Sequence, residues 1–119
     1  MTKGTIYIAG PMRGLPRYNF PAFDGAYERW RAAGWDVINP AQVNRALGFD
    51  ETRGYTADGM ATWMRSLVPA DATAINRSDA IALLPGWEKS AGVAWELPLA
   101  RFLHLEVYDA VTMERLEGG

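Results

Sequence analysis

Hydrophobic positions along this chain alternate between short continuous runs and longer stretches with helical spacing. Thr5 to Gly10 (TIYIAG) is β-branched and aromatic and ends at Gly10-Pro11, the pattern of a buried strand that stops abruptly. Phe20, Phe23, Tyr27 and Trp30 then recur at three- and four-residue steps, with Asp24, Glu28 and Arg31 on other faces, which predicts an amphipathic helix. Asn19 is its expected N-cap, Pro21 fits the first turn, and Gly34 stops it. Trp35 to Ile38 predicts a second strand, broken by Asn39-Pro40. Such a βαβ opening implies a parallel sheet with a right-handed crossover.

Residues 41–57 show no clear period and carry Gly48, Asp50, Thr52 and Gly54, which predicts a long functional loop or lid. Helical spacing resumes over Asp58–Val68 through Met60, Trp63, Met64 and Leu67, and Pro69 is expected to open a further helix to Asn76. Ala80 to Leu84 (AIALL) reads as a central strand. A helix from about Ala91 to Leu103 carries Pro98 in its interior, where a kink is expected. Leu105 to Tyr108 reads as the last strand. The order predicts a Rossmann-like (flavodoxin-like) three-layer α/β sandwich, with a mainly parallel sheet of four or five strands and the first strand central.

Composition narrows the classes. The 119 residues suit one domain spanning 1–119, with no repeat or low-complexity run. Twelve Lys/Arg against fourteen Asp/Glu leave a net charge of -2, so a nucleic-acid polymer is not the expected partner. With no cysteine and only His104, neither a Cys-based zinc site nor a two-histidine centre is available, and no metal is expected. The first ten residues hold too few apolar side chains for a signal peptide or a span, so the expectation is a soluble, cytoplasmic protein with no membrane partner. Residues 1–20 carry Lys3, Arg13 and Arg17 and no acid, whereas residues 61–119 carry five basic and eight acidic groups. That placement suits a small phosphorylated ligand. Ordinary solvated charge is the plainer alternative.

In open parallel sheets, ligands bind beyond the carboxyl ends of the strands at the topological switch point. The loops so selected are Gly10–Asn19, the segment after Asn39, and Pro85–Ser90, whose polar members include Arg13, Arg17, Asn19, Trp87, Glu88, Lys89 and Ser90. Gly10 and Gly14 around Arg13 allow close backbone approach to an anion, although an exposed turn arginine has the same pattern. Gly92 and Glu96 are i and i+4 of the last helix, so the carboxylate would project over a bare glycine on which a sugar could rest. Ser90 could hold hydroxyl or phosphate oxygens at that helix start, or serve simply as its cap. Glu96 could equally be a surface residue, but it stands between Trp95 and Leu97 in an apolar helix. Asp71, near the start of the helix expected after Pro69, could serve the helix dipole, and Asp79 could tie down a turn. His104, near a helix C-terminus, has no expected catalytic role.

Together, Tyr7-Ile-Ala-Gly-Pro-Met-Arg13-Gly14, Asp71-x7-Asp79 and Ser90-x-Gly92-x3-Glu96 resemble the nucleoside 2-deoxyribosyltransferase-like superfamily. The phrases YIAGPMRG, YNFPAF and LPGWEKS are similar to its small phage- and prophage-associated branch. The resemblance implies that Glu96 is the nucleophile on C1′, that Asp71 assists departure of the base, and that Tyr7 orients the nucleophile. It also implies that Arg13 contacts phosphate and that Ser90 stands where 2′-deoxynucleoside 5′-monophosphate N-hydrolases carry serine and the transferases aspartate. Pro11 departs from the phosphate-binding serine of those hydrolases. The implied activity is cleavage of the base–sugar bond of a nucleoside 5′-monophosphate, without cofactor. A deoxyribosyltransferase, a non-catalytic nucleotide-binding phage protein, or a purely structural domain are the alternatives. Gly10 and Gly92 are expected to line the substrate site, with Asn19 and Trp87 at its rim. A homodimer or larger homo-oligomer is expected, because relatives complete the pocket from a neighbouring subunit and because Trp30, Trp63 and Trp95 exceed what a small core readily hides.

Overall fold

Burial of the two apolar runs sets the architecture. The computed structural model describes residues 2–118, in which β1 (Thr5–Ala9) and β3 (Ala80–Leu83) lie side by side and parallel in the sheet interior. β2 (Asp36–Ile38) flanks β1 on its other side, and β4 (Glu106–Asp109) flanks β3, both parallel. A fifth strand, β5 (Arg115–Glu117), closes the edge antiparallel to β4, so the order is β2-β1-β3-β4-β5. The middle strand is therefore β3 rather than β1.

Strand alternation divides the core in two. Ile6 and Ile8, with Ala80, Ala82 and Leu84, face α1 (Phe20–Ala32) and its Phe20, Phe23, Ala26 and Trp30. Tyr7, Ala9, Ile81 and Leu83 face the opposite layer, made by α3 (Ala57–Asn76) and α4 (Val93–Phe102). The α/β sandwich with a mainly parallel sheet is as expected, in the flavodoxin-like strand order that puts the switch point between β1 and β3. Among the described residues, no helix is long and apolar enough to cross a membrane.

Several local expectations are corrected. Within the stretch expected as loop, Pro40–Ala46 forms α2. The Asn39-Pro40 pair that ends β2 also starts this helix: Asn39 Oδ1 accepts from Ala41 N–H at 3.0 Å, and Pro40 takes the first-turn position. Only the segment after it, up to Thr56, lacks regular structure. Pro69 does not begin a helix but lies inside α3. Both Pro69 and Pro98 sit on exposed faces, where the carbonyls they leave unpaired can meet water while the buried stripes continue. Asp71 is consequently in the interior of a 20-residue helix, not at its start.

Asn19 stands at the N-cap position of α1 as expected, but its side chain makes no capping hydrogen bond. Arg17, Tyr18 and Asn19 all adopt left-handed backbone conformations (φ 50°, 52° and 60°), and the Asn19 amide donates to the Pro11 carbonyl at 2.9 Å. Each such non-glycine residue costs about 1–2 kcal/mol. Edge-on packing of Tyr18 against Phe49 and its hydroxyl bond to the Arg53 carbonyl hold the turn. Trp30 is only 1% exposed, and its indole N–H donates to the Ala110 carbonyl at 3.0 Å, so this core does hide it. Trp63 and Trp95 are half-buried, and among the described residues the most exposed large apolar side chain is Phe102 at 79%.

Candidate active site

A cavity of about 420 Å³ opens at the carboxyl ends of β1 and β3, within the size range of small-molecule sites. Its floor is the end of β1, from Ile8 to Gly10. Gly10 is required there: a Cβ would lie 2.7 Å from the Leu84 Cβ, so only glycine lets the two strand ends close. The Pro11–Arg13 segment, α3 and the start of α4 complete the walls.

Tyr7 and Glu96 meet beneath this cavity. Tyr7 is fully buried on the α3/α4 face of β1, and its hydroxyl donates to Glu96 Oε2 at 2.6 Å. Glu96 is 6% exposed and borders the cavity. Its carboxylate lies over Gly92, where an added Cβ would come within 3.4 Å of Oε1. The i, i+4 spacing thus leaves a bare backbone floor beside a carboxylate.

Asp71 reaches the same cavity from α3, and its Oδ1 is buried without a hydrogen-bond partner. Burial pushes the Glu96 carboxyl up to about 7, against the pull of the Tyr7 hydroxyl. Asp71 is also pushed up to about 7, by burial first and then by the neighbouring Glu96 charge, against the pull of the Tyr7 hydroxyl. Tyr7 itself is raised well above its ordinary range, by burial and then by the Glu96 charge, so it stays a proton donor. Two carboxyl groups that repel in a dry site resist ionising together. The Tyr7 hydroxyl is bonded directly to Glu96, so when the pair holds one proton the ionised form is favoured on Glu96 and the proton on Asp71. As pH passes through about 7 the pair therefore goes through a form with one carboxylate and one carboxylic acid.

Cationic and polar groups line the loops around this pair. Arg13 from the β1–α1 loop and Lys89 and Ser90 from the loop after β3 all border the cavity. Neither Arg13 nor Lys89 has an ion-pair partner among the described residues, unlike Arg17, Arg45, Arg101 and Arg115. Ser90 Oγ donates to the Gly10 carbonyl at 3.4 Å and accepts from Val93 N–H at 3.2 Å, tying the two strand-end loops together. Ser90 lies just ahead of α4, whose N-cap is Gly92, and holds its first residue through the Val93 N–H.

Other sequence candidates lie elsewhere. Asn19 is committed to the Pro11 carbonyl and does not border the cavity. Trp87 packs half-buried against the α4 side of the core, outside the cavity. Asp79 accepts the Thr5 N–H at 2.9 Å, a structural tie between β1 and the start of β3. His104 is exposed, in a left-handed conformation just past α4. Two polar residues of the cavity, Lys89 and Asn44, carry no sequence signal of a role. Lys89 stood in the correct loop beside Ser90, but an isolated lysine carries no pattern. Asn44, 3% exposed on α2, was hidden by reading its segment as loop.

A family model described as a domain of unknown function (DUF4406) matches residues 4–109. Among solved structures, the fold is similar to a 2-deoxyribosyltransferase from the psychrotolerant bacterium Bacillus psychrosaccharolyticus, with 21% identity and a TM-score of 0.62. That alignment covers 87% of this chain and 69% of that one. A search of curated proteins finds no match.

Proposed function

The chain belongs to the DUF4406 family, and we propose that it is an N-glycosidase that cleaves the base–sugar bond of nucleoside 5′-monophosphates. The observation that carries this reading is the buried Tyr7–Glu96 hydrogen bond of 2.6 Å, with Asp71 bordering the same cavity. Likeness of fold to a 2-deoxyribosyltransferase supports the same class of chemistry.

In the first step, the Glu96 carboxylate attacks C1′ as the bond from C1′ to the base nitrogen breaks. The base leaves with the bonding pair and takes the Asp71 proton. Water then attacks C1′, the bond to Glu96 breaks, and the water proton returns to Asp71. Free base and sugar phosphate are the products, and the protonation states are restored. Tyr7 acts as a positioning residue through its bond to the nucleophile. The two unpaired cations, Arg13 and Lys89, and the Ser90 hydroxyl suit a phosphate better than a bare 5′-hydroxyl. In a transferase a second base would replace the water, and the structural likeness favours that as the nearest variant. The similarity to the phage-associated branch suggests action on nucleotide pools in a bacterial cytoplasm.

The test is incubation with a panel of nucleosides and their 5′-monophosphates, with free base and sugar phosphate followed by chromatography. Base release from monophosphates, lost in Glu96→Ala while nucleotide binding persists, is the expected result, because the nucleophile contributes mainly to the transition state. Exchange of added base without net hydrolysis would favour the transferase. Tight nucleotide binding with no turnover in the wild type would overturn the enzymatic reading.

A further inference from the structure

Arg13 is exposed on the β1–α1 loop, and such a cation meets an anion well only if the backbone beneath it is fixed. Pro11 stands two residues before it. The proline ring fixes φ and abuts Gly86 of the loop after β3, where an added Cβ would lie 3.3 Å from the ring. With no N–H, Pro11 has only its carbonyl for hydrogen bonding, and that carbonyl accepts from the Asn19 amide at 2.9 Å. A carbonyl cannot donate, so this bond also fixes which end of the carboxamide faces Pro11. Because the Pro11–Met12 peptide is planar and trans, the same bond sets the direction of the Met12 N–H. The Gly10 and Met12 carbonyls are held less closely, by Ser90 Oγ at 3.4 Å and by Leu15 N–H at 3.3 Å.

The conformation that delivers the Asn19 amide is costly. Asn19 stands at the N-cap position of α1 yet makes no capping bond, and it ends a run of three left-handed residues. Strain of this kind persists only where the surroundings over-determine it. The segment after α2 supplies that restraint. Glu51 pairs with Arg17 at 3.2 Å, Phe49 packs edge-on against Tyr18 at 5.1 Å, and the Arg53 carbonyl accepts from the Tyr18 hydroxyl at 3.2 Å. The result is an amide turned back on a carbonyl eight residues earlier, outside the cavity but holding a segment that lines it.

We propose that Asn19 is a positioning residue: it clamps the Pro11 carbonyl so that the Pro11–Arg13 segment holds Arg13 in place for the 5′-phosphate of the substrate. A loop freed of the clamp occupies its binding-competent form for only part of the time, and apparent affinity falls by that fraction. Nucleosides lack the group that Arg13 meets, so the loss falls on phosphorylated ligands alone. The inference rests on the nucleotide-cleaving reading for the identity of the anion, but it concerns affinity and can be measured separately.

Asn19→Gly is the variant of choice, since glycine accepts the left-handed backbone and no capping bond is lost. It is compared with the wild type on 2′-deoxynucleoside 5′-monophosphates and the matching nucleosides, with base release and ligand-induced change in melting temperature both recorded. KM for the monophosphates should rise about 3- to 10-fold, the weight of one hydrogen bond, with kcat and nucleoside activity nearly unchanged. Asn19→Asp, which keeps the shape but turns an acceptor toward the carbonyl, should raise KM at least as far. In an Arg13→Ala background Asn19→Gly should add nothing, because the side chain it positions is gone. A further loss of the same size there, equal losses on nucleosides and monophosphates, or an unmoved KM would each overturn the proposal. Arg13→Ala that weakens monophosphates selectively beside a silent Asn19→Gly would overturn this inference alone. Arg13→Ala without any selective effect would remove the phosphate end and this inference with it. Monophosphates that bind but release no base would overturn the glycosidase reading, and the same comparison of variants by thermal stabilisation then decides this one. Absence of both binding and cleavage would overturn both.

Discussion

Replacing Tyr7 with phenylalanine removes one oxygen atom from the core and should act almost entirely through Glu96. The deleted hydroxyl donates a 2.6 Å hydrogen bond to a carboxyl group that is only 6% exposed, so no solvent molecule takes its place cheaply. Hydrogen bonds to charged groups contribute about 1.5–3 kcal/mol, equivalent to about one to two pKa units on the acceptor. Glu96 already sits at about 7 because burial outweighs the tyrosine's pull. Without that pull the carboxyl moves higher, and the ionised fraction at pH 7 falls from about half to about one-tenth or below. The acidic limb of kcat/KM against pH should therefore move to higher pH by about one to two units. The loss should be about 5- to 50-fold at pH 7 and should shrink toward pH 9. The assay is base release from the best monophosphate at closely spaced pH values, with far-UV circular dichroism to show that the fold is kept. An unmoved acidic limb, or a loss of equal size at every pH, would refute the argument that Tyr7 works by stabilising the Glu96 anion.

Two further outcomes follow from the same site. Because burial raises Glu96 from 4.5 to about 7, the stability linked to its protonation is fully present below about pH 4.5 and is lost as pH rises through 7. Glu96→Gln should therefore raise the melting temperature at pH 8, by up to about 3 kcal/mol of stability, and change it little at pH 4; a variant less stable at pH 8 would contradict this. Arg13→Ala and Lys89→Ala should each raise KM for monophosphates and leave activity on the matching nucleosides nearly unchanged, whereas equal losses on both would remove the case for a phosphate end.

The chain's own pattern was enough for the parts of the fold whose stability is local or directly hydrophobic. TIYIAG and AIALL are buried on both faces, so their continuous apolar character announces strands, and Phe20, Phe23 and Trp30 mark the buried stripe of α1. The Gly92–Glu96 step was likewise readable, because it is a property of one helix. Three features depend on distant partners and had no such mark. α2 has only seven residues and is held by its Asn39 cap and by Arg45 clasped between Asp24 and Glu51, contacts that exist only once α1 and the following loop are in place. β5 is wholly exposed, so no alternation betrays it, and only pairing with β4 makes it a strand. α3 runs through Pro69 because its buried face, including Leu67, Ala74 and Ile75, continues on both sides while the proline faces water.

The chemistry divides in the same way. Spacing nominated Glu96 and the family resemblance nominated Tyr7 and Asp71; the fold brings Asp71 from α3 and Glu96 from α4 to one cavity and bonds Tyr7 of β1 to Glu96. Their raised proton affinities were not readable, since desolvation is set by what covers a group and not by what precedes it in the chain. Nor could sequence show that Asn44 and Lys89 border that cavity, or that Asn19 and Trp87 turn elsewhere. A periodic apolar pattern records which face of an element is buried, whereas the direction of a lone polar side chain is decided only when the other elements have packed around it.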